Sequence, residues 1–345
     1  MKFTDEINRY IDMYEQNHKI SGVLRITEKD NVIYERFIGF ADRETQIPFT
    51  DKSMFTFYSL SKPFLAIGVM KLKEEGLIDI DNHPSKYVPE AQGFDREVTI
   101  RNMLHHTSGL PDFVQTAKFD ERYDSGLPHQ IREQLKELAE YPNLFKPGTE
   151  FKYANINMII CALAIENITG LSYSEYMKEN VFKPLGMHSA YVDNKDLYIE
   201  QRVKGYEIVE EQIVPTERNL NWMLGAGDIV GTVDDVYCLN LAIKHKKLLK
   251  VETWDEILTP SSVCTFGMGC RIEPWHGKKR IIHNGGSRGF RTLHMQLPYD
   301  DLDIIFLSNS GWGNARNDIS GAILSEYYGN SENSFQKIEM DAGYI

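Results

Sequence analysis

Several things are missing from this chain, and each absence narrows what it can do. There is no block of lysines and arginines: 38 basic side chains stand against 50 acidic ones, for a formal net charge of −12. The chain therefore lacks the clustered positive charge by which proteins hold nucleic acid or an anionic membrane, and neither is expected as a partner. The longest apolar runs, near Met158 to Ile165, fall far short of the ~20 residues that a membrane span needs. The opening MKFTDEINRYIDMYEQ has no apolar signal core, and these two absences together predict a cytoplasmic protein. The four cysteines, Cys161, Cys238, Cys264 and Cys270, include no C-x-x-C and read as reduced thiols in apolar surroundings. Ten histidines contain no H-E-x-x-H, and no P-loop or dinucleotide glycine pattern occurs, so neither a metal nor a cofactor is expected.

What is present suffices for a sizeable core: 345 residues, 42% of them hydrophobic. Ile7, Ile11 and Tyr14 make one face of a first helix after a Thr4 cap. GVLRITE (22–28) and VIYERFIGFAD (32–42) read as two strands of a hairpin. From Phe57 the period turns helical, with segments at 98–106, 131–140, 157–167 and 173–182, and VYCLNLAI beyond Asp235. Strands return as FGMGCRIE, KRIIHNGG, FRTLHMQLP and LDIIFLSNS, and a last helix runs near Asp318 to Tyr328. Because one hairpin is not stable alone, the late strands are expected to join the first two in one antiparallel sheet flanked by the terminal helices. The expected fold is α/β in the α+β sense. Residues 1–57 with 265–345 form its sheet unit, and 58–264 a mostly helical insertion with the active site at the junction.

The stretch FYSLSKPFLAIGVMKLKEEG (57–76) is the centre of this arrangement. It is apolar almost all round, as in a core helix, and Gly76 is its expected stop. Ser59 falls at the N-cap end and Lys62 one turn on, where unpaired N–H groups favour developing negative charge. The plain alternative is a capping serine and a first-turn lysine. S-x-x-K occurs again at Ser334 to Lys337, in a polar tail without an apolar helix behind it. Pro63 is tolerated only in a first turn, so it pins the helix start near Ser59.

Three stretches follow in order: Ser59-Leu60-Ser61-Lys62, Tyr153-Ala154-Asn155 and His283-Asn284-Gly285-Gly286. In that order the sequence resembles the serine β-lactamase and penicillin-binding protein superfamily, in its branch of class C β-lactamases, DD-carboxypeptidases and serine esterases. The likeness extends through IRNMLHHTSGLPDF, FKPGTEFKYAN, GAGDIVGTVDD and IIFLSNSG. It implies a β-lactamase/transpeptidase-like fold and a serine acyl hydrolase that works through an acyl-enzyme on Ser59. By the same resemblance Lys62 and Tyr153 are catalytic, with either as the resting base. Asn155 then donates to the acyl carbonyl, and the N–H groups of Gly286 and Ser59 form the oxyanion hole beside Gly285.

His283 stands where many β-lactamases of this superfamily carry lysine. With an ordinary value near 6.5 it would be largely neutral at neutral pH and would help a substrate carboxylate only when protonated. The expected substrate is a small molecule or peptide with an ester, amide or β-lactam carbonyl. A penicillin-binding D-amino-acid peptidase leads, a carboxylesterase of the same fold is the alternative, and a non-turnover penicillin sensor is the rival from another class. Gly285-Gly286-Ser287-Arg288-Gly289 also fits the G-x-S-x-G elbow. The strand-like FRTLHMQL behind it, with His294 as the only later histidine, argues against that assignment.

Overall fold

A computed structural model describes residues 2–16, 20–113, 131–193, 201–216, 220, 222–311 and 315–329. The second S-x-x-K, at Ser334 to Lys337, lies outside the described residues. Two N-terminal strands, β1 (Gly22–Glu28) and β2 (Asn31–Ile38), meet four C-terminal ones: β3 (Arg271–Trp275), β4 (Lys278–Ser287), β5 (Phe290–Leu297) and β6 (Leu302–Ser308). Together they form one six-stranded sheet in the order β3-β4-β5-β6-β1-β2, antiparallel throughout. Gly22 pairs with Ser308 and Glu28 with Leu302, so the two ends of the chain close on each other.

The central strands of the sheet are buried on both faces, while the edge strand β2 leaves Val32, Ile33 and Phe37 exposed. Leu24, Ile26, Leu293, Met295, Ile304 and Phe306 turn to one side. There they pack against Ile7 and Ile11 of α1 (Lys2–Gln16) and Ile319 and Ile323 of α5 (Ala315–Tyr328). Val23, Ile281, Ile305 and Leu307 turn to the other side and join the larger core. That core is built on α2 (Lys62–Glu74) and α3 (Asn155–Thr169), which is buried through its first eleven residues, Asn155 to Ile165. A capping box of Thr232 and Asp235 starts α4 (Val233–His245). Among the described residues no single helix is long and apolar enough to cross a membrane.

Some sequence expectations need correction. α1 begins at Lys2, so Thr4 lies inside the first turn rather than capping it. Ser59 is not the N-cap of α2; it sits in a 3₁₀ turn, Tyr58–Ser61, that leads into the helix at Lys62. Pro63 does fall in the first helical turn, and Gly76, at φ 73°, follows the helix end. The stretch FGMGCRIE becomes regular strand only at Arg271. The cause is Gly269, at φ 79°, where a Cβ would come within 2.7 Å of the Lys62 carbonyl oxygen. Two features lacked a clear alternation signal: the hairpin Tyr206–Val209 with Gln212–Pro215, and a small sheet of Phe55–Thr56, Tyr191–Val192 and Ile229–Gly231.

Candidate active site

The turn that carries Ser59 is held from two sides. On one, Phe55–Thr56 pairs with Ile229–Gly231, Phe57 donates its N–H to the Ile229 carbonyl at 2.8 Å, and Ser61 Oγ accepts from Ile229 N at 3.1 Å. On the other, β4 runs close against the turn. A Cβ on Gly285 would sit 2.0 Å from the Phe57 carbonyl oxygen, so only glycine permits this approach. Thr292 Oγ1, opposite Gly285 in the register, donates to that same carbonyl at 2.9 Å. Arg316 Nη1 in turn donates to the carbonyls of Gly285 and Thr292, at 3.1 and 3.2 Å. Between these supports Tyr58 adopts φ 49°, an uncommon conformation for a bulky residue, and Ser59 is half-buried. The two glycines expected at the site therefore differ. Gly285 is required by the backbone behind it, whereas a Cβ on Gly286 would meet the flexible Arg291 side chain at 3.0 Å.

Lys62 is fully buried directly behind the serine. Its Nζ donates to Ser59 Oγ at 3.0 Å, Asn155 Oδ1 at 3.0 Å and the Ala226 carbonyl at 2.5 Å. All three ammonium protons thus have acceptors. Even so, burial lowers its pKa from 10.5 to about 7, against the opposing pull of Asp112 and Asp228. The same Nζ stands 4.8 Å from the Tyr153 ring centroid. A lysine in this state exchanges its proton near neutral pH, the property that activation of a serine hydroxyl needs.

Tyr153 packs its ring on His106, with centroids 4.2 Å apart, and Phe266 meets it edge-on at 6.2 Å. Asn155 is the first residue of α3 and is buried behind Lys62. Asp112 caps that helix: Oδ2 accepts from Asn155 N at 2.6 Å and Oδ1 from Ile156 N at 3.3 Å.

His283 corrects an expectation. Its Nδ1 lies 2.7 Å from the Asn284 carbonyl, which can only accept, so Nδ1 carries the proton. Burial, then the neighbouring Lys62 charge, push its pKa well below 6.5. The imidazole is therefore neutral across the physiological range instead of titrating within it.

Ser59, Tyr153, His283 and Gly286, together with Phe266, Arg271 and Asn284, enclose a cavity of about 30 Å³. Phe266 and Arg271 thus flank the nucleophile on the cavity wall. The sequence reading missed His106, Asp112, Phe266 and Arg271. The HHTSGLPD stretch was visible, but as a turn signal and an unsuitable metal pair; Arg271 carried no local mark. Its guanidinium lies 3.6 Å from Glu273 and is mostly shielded from solvent.

Known proteins share this architecture. The chain is 27% identical over 319 residues to penicillin-binding protein 4* of Bacillus subtilis, covering 85% of this chain and 69% of that protein. It is 24% identical to a D-aminopeptidase of Brucella anthropi, covering 99% of this chain and 66% of that one. Among solved structures, a penicillin-binding protein from Bacillus halodurans superposes with a TM-score of 0.80 at 25% identity, over 91% of this chain and 99% of that one. The beta-lactamase family profile matches residues 7–324, and with the serine and lysine so disposed, the chain belongs to the beta-lactamase family of serine hydrolases.

Proposed function

We propose that the chain hydrolyses acyl substrates through a covalent intermediate on Ser59. The observation that carries this reading is the 3.0 Å contact between Lys62 Nζ and Ser59 Oγ, made by a lysine whose proton leaves near pH 7. Neutral Lys62 takes the hydroxyl proton as Oγ attacks the carbonyl carbon. The N–H groups of Ser59 and Gly286 receive the developing oxyanion, an interaction commonly worth about 2.7 to 4 kcal/mol per donor. Tyr153, on the cavity wall beside Lys62, passes its phenol proton to the leaving group as the acyl bond breaks and regains one from the Lys62 ammonium, which returns Lys62 to its neutral form. Water then attacks the acyl-enzyme, giving its proton to neutral Lys62, and Ser59 Oγ leaves with a proton returned from that ammonium 3.0 Å away. The division into 1–57 with 265–345 and 58–264 puts Ser59 at the seam between the two units.

For substrate, the reading favoured is a penicillin-binding, D-amino-acid peptidase type of activity. Arg271 supports it by placing a cation on the same cavity wall as Ser59, suited to a carboxylate next to the scissile bond. Esterase activity is the second reading, favoured by the neutral His283, which adds no positive charge. A panel of p-nitrophenyl esters, D-Ala-D-Ala peptides and a chromogenic cephalosporin separates them, with mass spectrometry locating the adduct. Preference for peptides that lose their advantage in Arg271→Gln supports the first reading, and equal turnover of neutral esters by that variant supports the second. A burst without turnover would identify a penicillin sensor.

A further inference from the structure

The helix α3 starts without a cap of its own. Its N-cap residue is Ala154, and its first turn holds no acidic side chain. The missing group comes from the loop after Leu104, where Asp112, 5% exposed, accepts from the N–H groups of Phe113 at 2.8 Å, Asn155 at 2.6 Å and Ile156 at 3.3 Å. Asn155, held by one of those bonds, is the residue whose carboxamide oxygen receives the Lys62 ammonium. Asp112 is thus one residue removed from the reacting pair.

We propose that Asp112 is a positioning residue for hydrolysis: it fixes the first turn of α3 so that Asn155 meets Lys62, and its negative charge retains the Lys62 proton. This rests on the reading of Lys62 as the proton acceptor for Ser59. The groups facing Lys62 leave Asp112 as the main negative one. Asp228, the other buried carboxylate, accepts from Gly225 N at 2.9 Å and is pushed up to about 7, first by burial, so it is partly neutral at neutral pH. Its neighbour Asp193 raises it further and is itself committed to Arg202. His106 and His283 are held neutral, first by burial and then by the Lys62 charge. Tyr153 presents a ring face and Ala226 a carbonyl. Burial raises Asp112 above the ordinary carboxylate value as well, but its three N–H donors and Lys62 favour the anion and hold that rise back. Without that anion the lysine would lose its proton at lower pH and Asn155 would lose its anchor.

The test uses the full chain and follows the rate of Ser59 acylation by a fluorophosphonate against pH. Asp112→Asn and Asp112→Ser both keep a polar cap and remove the charge, while Asp112→Glu retains it. The expected result is an acylation midpoint lower by about one pH unit in the two neutral variants, a plateau rate reduced about tenfold, and a midpoint near wild type in Asp112→Glu. A slower plateau with an unmoved midpoint would make Asp112 a helix cap only, overturning the proposal. So would failure of both neutral variants to fold, judged by circular dichroism. Absence of Ser59 labelling in the wild type would instead overturn the parent reading, and this inference with it.

Discussion

The imidazole of His106 lies face to face with the phenol ring of Tyr153, centroids 4.2 Å apart and planes 23° from parallel. Its Nδ1 accepts from Ala154 N at 3.2 Å and faces Asn157 Nδ2 at 3.3 Å, which places the ring proton on Nε2. With burial complete and Lys62 close by, the ring stays uncharged. It forms an aromatic support for Tyr153 beneath a backbone at φ 56°.

Removing that support should misplace Tyr153. His106→Asn suits the test because asparagine tolerates the left-handed conformation and keeps a carbonyl acceptor, so chiefly the ring is lost. We expect stability to fall by about 1 kcal/mol, in the range of one aromatic pair, and kcat to fall about tenfold with KM nearly constant. Unchanged kcat in steady-state assays would show that Tyr153 holds its position unaided.

Ser59→Ala should abolish fluorophosphonate and penicillin adducts while preserving the circular dichroism spectrum, because the turn is held by Phe57, Ser61 and Gly285 rather than by the Ser59 hydroxyl. Peptide mass spectrometry decides the matter. An adduct on Ser287 would move the nucleophile to the glycine-rich strand.

Tyr153→Phe retains the stack on His106 and deletes only the hydroxyl. The expected loss in kcat is ~10²- to 10⁴-fold, the usual contribution of a positioned proton donor or acceptor, with a smaller change in KM. Retention of most activity would leave proton transfer to Lys62 alone.

The pH profile separates Lys62 from His283. Since Lys62 accepts the serine proton only when neutral, kcat/KM should rise as pH increases through about 7 and then level off. Asp228 titrates in the same region, so the observed midpoint belongs to the coupled group. His283 is neutral throughout, so His283→Gln should leave the midpoint in place while altering the rate. A midpoint that shifts in this variant would mean that the imidazole does titrate in the working enzyme.

How much of this was legible depended on distance along the chain. Ser59 and Lys62 are one turn apart, so their pairing was visible in the letters. The sheet was visible because its terminal strands carry apolar runs and alternation. Tyr153 and His283 gained meaning from the order of three motifs, which no local pattern supplies. Asp112 was beyond reach, since its role appears only when a loop closes on a helix start more than forty residues later. Arg271 reaches the site through strand pairing, Arg271 opposite Ile282 next to His283. The state of His283 follows from complete burial, which its sequence neighbours do not reveal.

The buried Lys62 should also leave a signature on stability. Folded, it releases its proton near pH 7; unfolded, it does so near 10.5. Between those values the unfolded chain binds more protons than the folded one, so this residue makes stability rise with pH across that window. Below it the ammonium is charged in both states, and the folded protein bears the full desolvation penalty. Lys62→Met is similar in size and has no proton to lose, so its stability lacks this term. Asn155 Oδ1 and the Ala226 carbonyl also lose a donor in the variant, a cost independent of pH, so the slope is the diagnostic quantity. Denaturant unfolding at a series of pH values should show the wild type gaining on Lys62→Met between about pH 7 and 10. Parallel curves would mean that the folded protein leaves Lys62 charged over that window, and the lysine could not then serve as the base for Ser59.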